Sequence, residues 1–179
     1  MDFTCGHHRG VVVLQVRVLK PKDAKEYWGL RLLTLNQHPD AFLLTLEEEQ
    51  KRLYPIKRIS ALLKDPTRLT IGAFIDDRLI GTITLQKESY KKIKHKASVL
   101  SFFIEDAYRN KGIGRRLLTE VINVSRRLEI EQLLLAVVST NTGAIALYES
   151  MGFTVFGLEK KALKVNGQYF DEQHMIYYL

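Results

Sequence analysis

The sequence predicts a mixed α/β domain, a central mixed sheet of about seven strands with four helices in the order β-α-α-β-β-β-α-β-α-β-β. Two patterns predict this fold. Short apolar and β-branched runs bounded by turn residues alternate with longer segments whose apolar residues recur every three or four positions. In addition, a strand–helix–strand step between residues 97 and 138 is a crossover, which makes its two strands parallel neighbours.

The first third of the chain predicts one strand followed by two helices. Residues 11–18 are β-branched and predict the first strand. A helix opens at Pro21 and ends at Pro39. A capping box from Thr45 to Glu48 begins a second, more polar helix, which Pro55 interrupts.

The rest of the chain supplies the other strands and two more helices. The helical period begins at Gly112, and a shorter helix spans 141–151. Asn166-Gly167 is a hairpin turn pair between the last two strands. The apolar runs of strand length are 69–75, 79–85, 97–104, 133–138, 153–162 and 169–178.

Length and composition favour one domain over residues 11–179, preceded by a disordered or extended segment, 1–10. The 46% of apolar residues suffice for a core. No run approaches the roughly 18 apolar residues of a membrane span, and no export signal is evident. A single cysteine, Cys5, and five scattered histidines do not have metal-ligand spacing. We therefore expect a cytoplasmic protein without a metal site.

The net charge of +7, from 27 basic and 20 acidic residues, predicts attraction to anions. Nucleic acid, an acidic lipid surface and a polyphosphate cofactor are all compatible with it. The lysine-rich segment from Lys87 to Lys96 could bind an acidic partner, but a solvated hairpin tip is the more common use of such lysines.

The strongest motif is a glycine-containing turn between a predicted strand and a predicted helix. A helix start offers unpaired N–H groups and the positive end of the helix dipole, and glycines let an anion approach. These features suit a pyrophosphate. A Walker loop is excluded because Arg115-Arg116 follows the last glycine, and a dinucleotide fingerprint is excluded because position 117 is leucine. The residues of the motif are Arg109, Asn110, Lys111, Gly112, Ile113 and Gly114.

A second element makes the chain resemble the GNAT superfamily of N-acetyltransferases. That family carries Arg/Gln-x-x-Gly-x-Gly/Ala between its fourth strand and the next helix, which Arg109, Gly112 and Gly114 match. The family often continues with a strand, an asparagine and a helix ending in Leu-Tyr-x-x-x-Gly-Phe. Here these are Asn141 and the run 147–153. The resemblance covers roughly residues 16–179.

The resemblance implies acetyl-CoA as cosubstrate. In the family, strand four bulges away from strand five, and the pantetheine arm lies in the opening against strand-four backbone, here near Phe102 and Ile104. The pyrophosphate would lie on the N–H groups from Lys111 to Arg115. Asn141 would hydrogen-bond the arm, although its residue type equally suits a helix N-cap.

The resemblance also implies the catalytic groups. Tyr148 matches the family's usual general acid, which protonates the departing thiolate. Without the family match, a half-buried aromatic packed on the sheet would be the preferred interpretation of this tyrosine. The backbone N–H of Ile104 is the implied donor to the oxyanion.

The sequence identifies neither the acceptor amine nor the general base. The acceptor is an amine on a small molecule, a protein N-terminus or a lysine, which attacks directly in a ternary complex. Arg31 interrupts the apolar face of the first helix and either extends to solvent or faces the acceptor. The candidate bases are Glu47, Glu48, Glu49, Glu105 and His95, with a water chain as the alternative.

Two other functions compete with the enzyme. One is an acyl-CoA sensor without turnover, which Tyr148 disfavours. The other is a nucleic-acid-binding domain, which the charge suggests but which lacks interleaved surface aromatics or a known motif. A homodimer through the last strands is compatible with this architecture.

Overall fold

A computed structural model describes residues 13–179, and it confirms the predicted mixed sheet. The seven strands lie in the order β1-β2-β3-β4-β5-β7-β6. The predicted segment 1–10, together with residues 11 and 12 of the first predicted strand, lies outside the described residues. The strands are β1 (Leu14–Val18), β2 (Arg68–Ile75), β3 (Arg78–Lys87), β4 (Lys96–Ile104), β5 (Gln132–Val138), β6 (Thr154–Val165) and β7 (Gln168–Tyr178).

The helices match the predicted order, except that the second predicted helix is two short helices. Pro55 begins a new helix because a proline fits the first helical turn, and the residue before it, Tyr54, is left-handed with φ 50°. The α-helices are α1 (Ala24–Gln37), α2 (Leu46–Gln50), α3 (Pro55–Leu62), α4 (Ile113–Arg127) and α5 (Thr142–Ser150). Among the described residues there are thus five α-helices, not four.

Helices cover both faces of the sheet. Apolar side chains of α4 pack with β2, β3 and β5 in the larger core, which also contains Tyr148 of α5. On the other face, Leu30 of α1 packs with Phe74, Leu79 and Phe103. Helices α2 and α3 pack against α1 on that face. Within residues 13–179, no helix is long and apolar enough to cross a membrane.

Strands β4 and β5 are parallel, as the crossover predicted, but they pair only at one end. Residues 96–98 pair with residues 132–134, and no pairing continues beyond them. The rest of β5 pairs with β7 along its other edge. The C-terminal half of β4 therefore diverges from β5 and leaves an opening between two parallel strands.

A β-bulge in β4 lies at this opening. Thr82 pairs with Phe103 and Thr84 with Leu100, so two residues of β4 face one of β3. Ser101 takes a left-handed φ of 50° at this point. Before the bulge Ala97 and Val99 belong to the larger core, whereas after it Phe102 and Ile104 pack against that core.

Candidate functional site

The backbone of Ile104 faces the opening. The N–H of Glu105 donates to the carbonyl of Ile80, 2.9 Å away, so the backbone groups of the preceding residue point away from β3. The Ile104 carbonyl instead accepts a hydrogen bond from Arg109 Nε at 3.1 Å. This side of β4 thus offers backbone groups to something other than a strand.

The loop before α4 presents a row of backbone N–H groups. Asn110 and Gly112 are both left-handed, with φ 59° and 76°, and Gly112 is the N-cap of α4. The N–H groups of residues 111–115 make no hydrogen bond to any described residue. A helix start leaves its first N–H groups without intrahelical partners, so this row can bind an anion.

The two glycines of this loop meet different requirements. A Cβ on Gly112 would touch nothing within 4 Å, so its left-handed backbone is what favours glycine there. A Cβ on Gly114 would approach Leu147 Cδ2 to 3.0 Å and Ile104 Cδ1 to 3.1 Å. A side chain at Gly114 would therefore force Leu147 and Ile104 to shift by a few tenths of an ångström, a constraint that the motif alone did not reveal.

The basic side chains of the motif bind the protein itself. Lys111 Nζ donates to the carbonyl of Ala107 at 3.0 Å. Arg115 reaches α5, where Nη2 donates to Ser150 Oγ at 2.8 Å. These side chains contribute positive potential and rigidity, while the hydrogen-bond donors that face outward are the backbone N–H groups.

Arg109 also contacts a residue that the sequence did not indicate, His38. Arg109 Nη2 is 2.9 Å from His38 Nε2, and Asp106 Oδ1 is 3.0 Å from the same imidazole nitrogen. The contact links the end of α1 to the loop before α4 across 71 positions of sequence. No local pattern encodes such a contact, so sequence reasoning had no signal for His38.

Asn141 and Tyr148 lie on the other side of the opening. Asn141 is the N-cap of α5, where Oδ1 accepts from the Ala144 N–H at 3.2 Å, and its amide nitrogen makes no hydrogen bond to the described residues. Tyr148 is 6% exposed, and its ring lies 6.0 Å from that of Phe102 and 5.7 Å from that of Phe153. Burial raises the pKa of the Tyr148 hydroxyl above its ordinary value. The structure therefore brings Tyr148 close to the bulged part of β4.

The carboxylates considered as bases are engaged in ion pairs or hydrogen bonds, and His95 lies away from the opening. Glu47 pairs with Lys51, and Glu48 accepts from the backbone N–H and hydroxyl of Thr45. Glu105 Oε1 is 2.7 Å from Arg78 Nη2. The carbonyl of His95 accepts from residues 131 and 132, which places His95 at the closed end of the β4–β5 pair.

Glu49 is the remaining carboxylate, and it is fully buried, with 0% exposure. Its Oε2 is 3.0 Å from Arg31 Nε, and its Oε1 is 2.6 Å from Arg58 Nη2. Arg52 Nε is 3.9 Å away. A buried carboxylate is stable only when it is paired and hydrogen-bonded, which these guanidinium groups accomplish.

A pocket lies beside this cluster, between α1 and the bulge of β4. Its confined volume is about 20 Å³, room for about one water molecule. The walls mix aromatic and hydroxyl side chains with one guanidinium group. The lining residues are Tyr27, Leu30, Arg31, Thr34, Leu35, Phe42, Thr82, Ser101 and Phe103.

Two acids and a histidine gather on β6 and β7. Each of Glu159, Glu172 and His174 has a potential ligand atom within 4.8 Å of those of the other two. His174 Nε2 is 3.1 Å from Glu159 Oε2, and burial raises the pKa of Glu172. A hydrogen bond between His174 and Glu159 beside a half-buried carboxyl accounts for the group, and the expected absence of a metal site stays a prediction.

Comparisons with known proteins all point to acetyltransferases. Residues 16–174 match the acetyltransferase (GNAT) domain family. The chain is 27% identical to the probable N-acetyltransferase YjcK of Bacillus subtilis, over 89% of this chain and 91% of that protein. It is 24% identical to the L-amino acid N-acetyltransferase AaaT of Escherichia coli, over 88% and 95% of the two chains.

Solved structures share the fold. The structure of yncA of Salmonella typhimurium, a putative acetyltransferase with acetyl-CoA, superposes with a TM-score of 0.80. The match covers 93% of this chain and 94% of that one, at 18% sequence identity. The fold is therefore retained in a protein whose sequence has diverged widely.

Proposed function

The chain belongs to the GNAT family of N-acetyltransferases, and from that premise we propose that it transfers the acetyl group of acetyl-CoA to a primary amine by direct attack in a ternary complex. The acceptor is a small molecule, a protein N-terminus or a lysine.

One observation carries this proposal. The unpaired N–H groups of residues 111–115 lie at the same end of the sheet as the opening between β4 and β5. A diphosphate bound at the helix start would direct an attached arm into that opening, where Phe102 and Ile104 supply strand backbone. Asn141 lies across the opening with a spare amide nitrogen.

The chemistry follows from these positions. The neutral amine attacks the thioester carbon, a C–N bond forms, and the carbonyl oxygen becomes an oxyanion that the Ile104 N–H stabilises. The C–S bond then breaks, and the thiolate takes a proton from Tyr148. The tyrosine regains a proton from the new ammonium group through water. A tyrosine hydroxyl is protonated at neutral pH, and burial raises the pKa of Tyr148 further, so the hydroxyl is available as a donor.

The test is a thiol-release assay with acetyl-CoA and a panel of amines, peptides with free N-termini included. We expect amine-dependent release of free CoA thiol and a product heavier by one acetyl group. Acetyl-CoA binding without release for any amine would instead support the sensor. Salt-sensitive binding to nucleic acid with no acetyl-CoA affinity would support the third function.

We also propose a homodimer through β6. This strand is one of the two edges of the sheet, and it exposes Val155, Phe156 and Leu158. A long edge strand with apolar side chains favours pairing with another chain. We expect light scattering to give twice the chain mass and Phe156→Lys to reduce it, whereas a monomeric parent protein would contradict the proposal.

A further inference from the structure

The pocket between α1 and the β4 bulge contains one cation whose donors are only partly used. Arg31 Nε donates to Glu49, and Arg31 Nη1 and Nη2 make no hydrogen bond to any residue of the range 13–179. The side chain is 20% exposed and lines the pocket. A guanidinium has five N–H donors, so four of them are available to a ligand.

The surrounding charges favour an anion. Among the residues that the structure describes, Glu49 is the one carboxylate within 4 Å of Arg31, Arg52 and Arg58, so the group keeps two positive charges in excess. Glu49 also fixes the orientation of Arg31, because its Oε1 is held in turn by Arg58. A guanidinium held by a buried partner loses little conformational entropy when it binds a second group.

The walls of the pocket fit one small charged group. Tyr27, Phe42 and Phe103 are aromatic, and such walls strengthen an ion pair by excluding water. The confined volume of about 20 Å³ holds about one water molecule, so it admits one end of a small polar group and excludes a long side chain. The pocket reaches Ser101 at the bulge, and thus it adjoins the strand that would lie along the thioester.

We propose that Arg31 binds a carboxylate of the acceptor through Nη1 and Nη2, so that the acceptor is an amine that also carries a carboxyl group, in the manner of a free L-amino acid. The proposal rests on the proposed acetyl transfer, since it names the acceptor class of that reaction. A bidentate pair with a carboxylate is the geometry that guanidinium groups favour.

The experiment compares each L-amino acid with its amide, which lacks the negative charge and keeps the amine. We expect kcat/KM for the acids to exceed that for the amides by about tenfold to a hundredfold, the range of one charged hydrogen-bonded pair. Arg31→Met should remove most of this preference by raising KM for the acids, and it should leave the rates with the amides within about twofold.

Matched variants separate recognition from folding. Lys25→Met removes a charge from an exposed position of the same helix. It should not change the ratio of kcat/KM for the acids to kcat/KM for the amides. Arg31→Lys keeps the charge without the planar fork, so it should retain part of the preference even if Arg31→Met fails to fold. A wild-type protein that treats acids and amides alike would overturn the proposal, as would an Arg31 variant that slows both equally.

A binding measurement distinguishes the failure of this inference from that of the proposed function. Amino acids and their amides are titrated into the CoA-bound protein by calorimetry. Preferential binding of the acids without turnover would support carboxylate binding at Arg31 and contradict acetyl transfer. Turnover of amines with no preference for the acids would support acetyl transfer and contradict carboxylate binding at Arg31.

Discussion

The two sides of the opening are built from sequence in different ways. On the side of α4 and α5, the candidate groups come from two short stretches, 109–115 and 141–148, each next to a strand end. On the side of α1 to α3, the Glu49 cluster and its pocket assemble from single residues of several separate elements, from Tyr27 of α1 to Phe103 of β4. The α4 side can therefore be predicted from sequence motifs, whereas the α1 side can be identified only in the folded structure.

This contrast predicts that variants on the α1 side affect stability most. Glu49→Ala removes the buried carboxylate on which three partly exposed guanidinium groups converge. We expect unfolding in urea to become about 3–5 kcal/mol easier, the usual result of breaking a buried ion pair. Glu47→Ala is the control, since Glu47 is exposed and its one ion-pair partner within residues 13–179 is Lys51. The free energy of unfolding of this variant should change by less than about 1 kcal/mol. A change of less than about 1 kcal/mol in the free energy of unfolding of Glu49→Ala would contradict the expectation that the α1 side matters most for stability.

Variants on the α4 side should affect the reaction instead. Tyr148→Phe keeps the ring contacts with Phe102 and Phe153 and removes the hydroxyl that we propose as the proton donor. We expect kcat to fall by about a hundredfold, with acetyl-CoA affinity unchanged within about twofold. Tyr90→Phe, on an exposed turn, is the matched control. An unchanged kcat for Tyr148→Phe would remove this hydroxyl from the mechanism.

The pH dependence of stability tests a second ion pair on the α1 side. Arg17 Nη1 lies 2.7 Å from Asp23 Oδ2 and holds the pKa of Asp23 below its ordinary value. Between the lowered pKa of folded Asp23 and its ordinary pKa, the unfolded chain binds more protons than the folded protein. The stability that this pair contributes is therefore complete above the ordinary pKa, and it is lost as the pH falls through the lowered pKa. Asp23→Asn should lower the free energy of unfolding by about 2 kcal/mol at pH 7.

The difference in free energy of unfolding between the parent protein and Asp23→Asn should then become smaller when urea unfolding is repeated at pH values approaching the lowered pKa of Asp23. A gap that stays constant from neutral to acid pH would show that Asp23 does not depend on its charge.

The smallest effect is expected in the glycine loop. Gly112→Ala places a Cβ on a backbone with φ 76° and costs about 1–2 kcal/mol, although space is open around it. We expect weaker acetyl-CoA binding by calorimetry and little loss of activity at saturating acetyl-CoA. Gly143→Ala, with equally open space inside α5 and an ordinary φ, is the control and should bind normally. Equal binding by both variants would show that the loop conformation does not matter.

The sequence predicted the fold well because its signals are local. The start of α4 and the turn pair Asn166-Gly167 follow from glycine and turn chemistry, and the parallel β4–β5 pair follows from the length of the crossover. Contacts across the sheet were not predictable in this way. His38 meets Arg109 only because α1 ends over the loop before α4.

The run 47–49 shows the same limit within three residues. All three are glutamates, and sequence alone gives them equal standing. Glu47 and Glu48 face solvent, whereas Glu49 is buried because arginines from α1 and α3 meet there. Which acid a fold encloses depends on the cations that other elements bring, and no window of sequence contains that information.

The extra residue at Ser101 makes β4 sensitive to its own length. A regular strand presents alternate residues to each face, so a β4 of the same length without the bulge would place Phe103 on the α4 side, together with Ala97 and Val99. The bulge instead turns Phe103 towards α1 and leaves Phe102 and Ile104 on the α4 side. Deletion of Ser101 should therefore keep each aromatic ring on its own side while it straightens the strand edge at the opening. A loss of acetyl-CoA binding in that deletion variant would then report on the shape of the edge and not on an exchange of side chains between the two faces.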